Sequence, residues 1–211
     1  MYLIAFSIRL FIARDNFDFE GNIGDGFNLS LGYAKAYTFR NKTFRKVRLL
    51  GSSNTGENSR IVFESCKLGE LFENSAKRAE LKNCTTSGKI NFKCLSGSLK
   101  IDNLKQDGSS NGVECSFDAS GSDLIEIKNC VFKNIERISY GGNLDIYNCK
   151  FEIDGSVLET DIWLKGENVN ITDSTFEKKY EYTMHTRARV LLEAENLMLK
   201  RTKFINVGDM F

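Results

Sequence analysis

The sequence predicts an all-β protein, a single-domain right-handed parallel β-helix of about nine coils, and three observations predict it. One eight-residue pattern recurs along most of the chain. Its apolar residues alternate with period two, and a residue that tolerates left-handed backbone angles holds one fixed place in most copies. With 211 residues, the chain is long enough to bury a sizeable core as one domain.

The clearest copies are Ile125-Glu126-Ile127-Lys128-Asn129-Cys130-Val131-Phe132 and Leu144-Asp145-Ile146-Tyr147-Asn148-Cys149-Lys150-Phe151. Val169 to Phe176 and Leu197 to Phe204 repeat the same order: apolar-x-apolar-x-(Asn/Asp)-(Cys/Ser/Thr)-x-Phe. Towards the N-terminus, Leu99 to Leu104, Ala79 to Cys84 and Ile61 to Leu68 fit, with looser copies at Tyr37 to Phe44 and Phe17 to Asn22. The sixth position of each copy falls at 22, 42, 66, 84, 104, 130, 149, 174 and 202, in steps of 18 to 28 residues. Period-two alternation and an irregular step exclude helical-hairpin arrays, whose apolar spacing is three to four.

Each template position has a physical reason. Alternation puts the two apolar residues on the inner face of a strand and their neighbours outside. The fifth position is Gly21, Asn41, Ser65, Asn83, Asn103, Asn129, Asn148, Asp173 and Arg201. Gly, Asn and Asp adopt left-handed angles most readily, and one such residue bends the strand so that the next side chain points inward again. Arg201 departs from these residue types. The sixth residue is then small enough to bury, and a Phe follows two residues later.

A second strand returns between copies, read at Val47/Leu49, Ile90/Phe92, Val113/Cys115, Ile162/Leu164 and Val190/Leu192. Each coil then holds a template strand, a bend, a short post-bend strand and a return strand. Equivalent strands stack about 4.8 Å apart, giving a rod of roughly 40 Å, and crossover preference sets the right hand. Residues 1–16, with the apolar run Tyr2 to Ile8, are expected to cap the first end, leaving 17–211 as the β-helix. No Lys or Arg precedes that run and Arg9 interrupts it, unlike a signal peptide, and it is too short to span a bilayer.

At this point the chain resembles the right-handed parallel β-helix of pectin-lyase-like proteins, whose repeats often read apolar-x-apolar-x-Asn-Cys-x-Phe. The resemblance covers about residues 17–207 and rests on structural positions. Pectin-degrading hydrolases of that fold carry Asn-x-Asp, Asp-Asp, Gly-His-Gly and Arg-x-Lys motifs. This chain has no Asp-Asp, and its one His lies in Met184-His185-Thr186. The resemblance therefore implies a non-catalytic member.

Hydrophobic residues make up 41% and charged residues 27%, which excludes a disordered or bulk membrane-embedded chain. A formal charge of +1 argues against a generally basic nucleic-acid binder. No Cys-x-x-Cys pair occurs and His185 has no Cys at zinc spacing, so neither metal nor cofactor is expected. Cys66/Cys84, Cys94/Cys115 and Cys130/Cys149 fall in adjacent coils within disulfide reach. Buried free thiols are the favoured alternative, since stacked Cβ vectors run parallel, and they fit an expected cytoplasmic location.

The outward columns of the template strand read Glu80, Lys100, Glu126, Asp145, Asn170, Met198 and Lys82, Asp102, Lys128, Tyr147, Thr172, Lys200. Alternating signs in the middle coils suit a solvated, ion-paired face. The functional alternative is a carboxylate set, Asp102, Glu126 and Asp145, on the face where polysaccharide-cleaving β-helices hold their acids, although Lys82, Lys100 and Lys128 would neutralise it. A hydrolase or lyase is thus the secondary expectation. Lys35, Arg40, Lys42, Arg45, Lys46 and Arg48 crowd a stretch without acids, beside Tyr33, Tyr37 and Phe44. Such a patch docks an acidic protein surface or, less favoured, nucleic acid. Trp163 alternates outward between Ile162 and Leu164, as a stacking platform or partner anchor, or else it lies under a loop at 152–168. The function expected is a non-catalytic scaffold binding a macromolecular partner, a protein first, through the 35–48 stretch and Trp163. Carbohydrate is the first alternative ligand, no membrane is involved, and one coil end is a candidate self-association contact.

Overall fold

The computed structural model describes residues 9–11, 16–18, 28–31, 36–44, 47–51, 60–69, 71–74, 78–86, 89–93, 97–106, 115–118, 122–133, 135, 137–139, 142–153, 159–179 and 187–207. These residues form a parallel β-helix. Every strand pair among them is parallel, and the strands build a sixteen-stranded and an eight-stranded sheet. The larger sheet contains two stacks. The template stack runs from Asn16–Asp18 through Ala36–Arg40, Arg60–Glu64, Arg78–Lys82, Gly97–Asp102, Ser122–Lys128 and Asn143–Tyr147. The return stack runs from Arg9–Phe11 to Arg137–Ser139. They join where Glu159–Thr172 and Arg187–Lys200 each serve as return and template strand in one piece. The post-bend strands, from Thr43–Phe44 to Lys203–Ile205, form the smaller sheet. Of the expected cap at 1–16, residues 9–11 and 16 are described and belong to strands; the rest of it lies outside the described residues.

The bend falls where the sequence places it. Asn41, Ser65, Asn83, Asn103, Asn129, Asn148, Asp173 and Arg201 all have φ between 49° and 55°; Gly21 lies outside the described residues. Arg201 keeps the backbone rule despite its residue type. Its guanidinium grips Asp173, the bend residue one coil below, with Nη2 donating to Oδ2 at 2.6 Å. That guanidinium holds the Asp173 carboxyl below its ordinary value. Asn206, with φ 54°, is a further left-handed residue that the repeat does not mark. Asparagines at the bends also bond to one another: Asn103 Nδ2 donates to Asn83 Oδ1 at 2.8 Å, and Asn148 Nδ2 to Asn129 Oδ1 at 2.9 Å.

Beyond the bend, the sixth side chain does more than fit. Cys66 Sγ donates to the Phe39 carbonyl at 3.3 Å, and Cys149 Sγ to that of Tyr147 at 3.2 Å. Ser174 Oγ donates to Thr172 O at 2.9 Å and Thr202 Oγ1 to Ile171 O at 3.0 Å. Cys, Ser and Thr share this position because each is a small donor that bonds strand carbonyls beside the corner. Cys66, Cys84, Cys130 and Cys149 are buried free thiols. A hydrogen bond with Cys66 and burial hold the Cys84 thiol above its ordinary value, and Cys149 does the same for Cys130. Cys115 stands in register with Ile90, not with Cys94, which lies outside the described residues. The return pair read as Val113/Cys115 is therefore corrected to Cys115/Phe117, because these two stand in register with Ile90 and Phe92.

The core is a set of columns. Tyr37, Ile61, Ala79, Leu99, Ile125, Leu144 and Val169 lie in one register and are all buried. Each large member contributes roughly 1.5–3 kcal/mol on burial. At the eighth position Phe132, Phe151, Phe176 and Phe204 stack face to face with centroids 5.1, 4.5 and 5.1 Å apart. In the two coils below Phe132 the series breaks, with Gln106 and then Thr86 buried instead. Neither amide atom of Gln106 has a hydrogen-bond partner among the described residues. On the long strand Glu159–Thr172, Gly166 marks the join between return and template halves. A Cβ there would meet the Gly142 carbonyl at 3.0 Å, the same oxygen that accepts from Glu167 N and Asn168 N.

On the post-bend face, Glu152 is 6% exposed and bound by Lys150 at 2.7 Å and Lys179 at 2.8 Å. Burial pushes its carboxyl up, but the two ammonium groups outweigh burial and hold it below the ordinary value.

Three outcomes follow for stability in urea. Asn41→Gly is near neutral, whereas Asn41→Val costs about 2 kcal/mol, because a branched side chain resists φ of 54°. Gln106→Leu gains about 1 kcal/mol by removing unmet polar groups; a loss there would show that the amide is bonded. Glu152→Gln costs about 1 kcal/mol at neutral pH, reduced by the solvent around its lysines. A depressed carboxylate stabilises above its unfolded value of about 4.3, so this difference closes as pH falls through the folded-state pKa.

Candidate functional site

The repeat fixes the interior, so functional chemistry is left to the outward columns of each face. On the template face both expected columns are in register. Glu80, Lys100, Glu126, Asp145, Asn170 and Met198 form one, and Lys82, Asp102, Lys128, Tyr147, Thr172 and Lys200 the other. The lower coils are closed by ion pairs. Arg40 Nε bonds Glu64 at 2.8 Å, Lys82 Nζ bonds Glu80 at 2.8 Å, and Lys128 Nζ bonds Glu126 at 3.1 Å.

Further up, the charges thin out and the surface dips. A shallow groove of about 560 Å³ is lined by Glu126, Asp145, Tyr147, Asn170, Thr172 and Met198, among others. Tyr147 is 46% exposed and Met198 48%, the largest exposures among the described outward apolar side chains of this face. Asn170 Nδ2 donates to Asp145 Oδ1 at 2.8 Å, which fixes one carboxylate on the groove floor. The arrangement offers carboxylate acceptors, an amide, a hydroxyl, a phenol and a thioether: a surface for hydrogen bonds and apolar contact.

Of the three acids singled out by sequence, Glu126 and Asp145 are neighbours in one column and both line the groove. Asp102 stands in the other column outside it, and its Oδ1 accepts from Asn129 Nδ2 at 2.9 Å. Glu126 is ion-paired and Asp145 amide-bonded, so neither is the buried, unrelieved acid that proton donation to a glycosidic oxygen requires.

The basic stretch is divided by the fold. Lys35, Arg45 and Lys46 lie outside the described residues. Arg40 lies on the template stack in its ion pair with Glu64. Lys42 follows the bend, its carbonyl accepting from Lys67 N at 2.8 Å. Arg48 lies on the return stack, in register with Asn28 and Glu73. Arg40 and Arg48 thus belong to different stacks, because the chain turns a corner between them.

Trp163 occupies an outward, half-buried position between the fully buried Ile162 and Leu164. It stands in register with Arg137 below and Leu191 above, and Lys165 Nζ lies 6.0 Å from its ring centroid. The segment that holds it is a strand from Glu159, not the loop read at 152–168. His185 lies outside the described residues. No group of His, Cys, Asp and Glu among the described residues forms a metal site. No helix of the described residues is long and apolar enough to cross a membrane.

The groove itself was not singled out from sequence, although its signal was there: two columns of alternating charge give way to Tyr147, Asn170, Thr172 and Met198. Comparison of the chain with family models, with curated proteins and with solved structures finds no match.

Proposed function

We propose that this protein is a non-catalytic β-helical scaffold that binds a macromolecular partner, a protein first, across its template face. The groove carries this reading: Tyr147 and Met198 stand open beside Asn170 and Thr172, where the lower coils present paired charges. Exposed Tyr and Met ringed by polar groups suit the centre of a protein interface. Trp163, on the return stack, and Arg40, several coils lower on the template face, are further candidate contacts.

A second reading is carbohydrate binding within the pectin-lyase-like class that the repeat resembles. Asp145, Asn170 and Thr172 supply hydrogen-bonding groups and Tyr147 an aromatic one. Cleavage in the same groove would need Glu126 or Asp145 as its acid, and the ion pair and the amide bond on them speak against it. Nucleic-acid binding through residues 35–48 is the third reading, and it predicts steep salt dependence.

The test is capture from lysate and from a panel of oligosaccharides, with native protein beside Tyr147→Ala and Met198→Ala. Truncating a central anchor costs at least about 1.4 kcal/mol, a tenfold loss of affinity. A protein captured by the native chain and lost in both variants supports the scaffold. Saccharide binding lost in Tyr147→Ala supports the second reading. Binding unchanged in both variants, but abolished when Lys42, Arg45, Lys46 and Arg48 become Glu, overturns the groove as the contact.

A further inference from the structure

The post-bend face carries an excess of positive charge. Its eight strands, from Thr43–Phe44 to Lys203–Ile205, hold six lysines and two glutamates. The whole chain, by contrast, balances 29 basic residues against 28 acidic ones. Both glutamates of this face are already engaged, Glu152 by Lys150 and Lys179 and Glu177 by Lys150 at 3.0 Å.

The lysines are also ordered. Register pairs link Thr43, Lys67, Thr85, Lys105, Val131, Lys150, Thr175 and Lys203 into one outward column. Lysine occupies every second coil, and Thr or Val the coils between. Strands about 4.8 Å apart set these lysines about 9.6 Å apart, along a line of about 29 Å. No acid enters this column, whereas on the template face Glu64 and Asp102 alternate with Lys82 and Lys128. Lys67, Lys105 and Lys203 are exposed and form no ion pair with the described residues.

A straight line of cations at a fixed interval suits a linear polyanion, and its details narrow the class. Duplex DNA carries a charge about every 1.7 Å, so most of its phosphates would go unmatched. Single-stranded nucleic acid is held by stacking bases on aromatic rings. The described outward side chains of this face include none. A bilayer spreads its charge in two dimensions, which a single row does not follow. An extended polysaccharide with one acid group per disaccharide repeats its charge at about the lysine interval. Its neutral sugars then fall on Thr43, Thr85 and Thr175, whose hydroxyls both donate and accept.

From this match we infer that the post-bend column binds an acidic polysaccharide of that kind, one sugar per coil and one acid per lysine. Lys67, Lys105 and Lys203 carry the contact, and Lys150 shares its charge with Glu152 and Glu177. The column belongs to the eight-stranded sheet, around the corner from the Tyr147 groove, and does not depend on that groove.

Titration calorimetry of the full chain with hyaluronan oligosaccharides, which carry one carboxylate per disaccharide, tests this at low and at physiological salt. Affinity is expected to rise with length up to about eight sugars, enough to span the four lysines, and to fall as salt rises. Lys105→Thr weakens binding about fivefold. Adding Thr85→Lys restores the net charge but breaks the interval, so binding stays weak; circular dichroism checks that both variants are native. Full recovery in the double variant overturns the inference, as does affinity that does not grow with length. Equal binding of duplex DNA or of anionic lipid vesicles overturns it too, and so does an absence of binding at low salt.

Discussion

Everything in this molecule depends on one backbone constraint: a residue held at φ near 50° in each coil where the template strand ends. Without it the strand would run straight, and the sixth residue of each repeat would face solvent. With it, alternation restarts around the corner. A small donor turns inward to the strand carbonyls, and two residues later a Phe enters the stack. Stacking makes the strain collective, because the left-handed residues from Asn41 to Asp173 donate their amides to the coil above, as Asn83 N does to Asp102 O at 3.0 Å. The corner is thus held by a neighbour as well as by its own side chain.

The template strand was legible residue by residue because its two rules are local. Period two sets the faces, and Asn or Asp sets the bend, so the outward columns from Glu80 to Met198 follow directly. The return strands obey no such rule. Their distance from the template varies from coil to coil, and the Cys115 strand was misplaced by two residues for that reason. Arg201 shows the limit from the other side: residue type alone argues against a left-handed angle, yet a carboxylate one coil below secures it. Only the register places Asp173 there.

The candidate site was half legible. The columns showed where charge gives way to Tyr147, Asn170, Thr172 and Met198, but not that this stretch dips into a groove. The basic stretch shows the converse case. Residues close in sequence need not share a face when a corner lies between them, and Arg40 and Arg48 stand on different stacks. Inward columns carry the fold, and the proposed recognition falls to the outward ones. The exceptions, Gln106 inside and Glu152 on the surface but buried, mark where that division is relaxed.

The two long strands, Glu159–Thr172 and Arg187–Lys200, give the rod a direction. Each carries its return and template halves in one piece, and thirteen register pairs tie the two strands together. Local opening is easiest where ladders are short and interrupted, and hardest where they are continuous. The coils that these two strands build are therefore slow to open. The proposed contact beside Tyr147 lies on the strand next to them, where little motion is left to freeze.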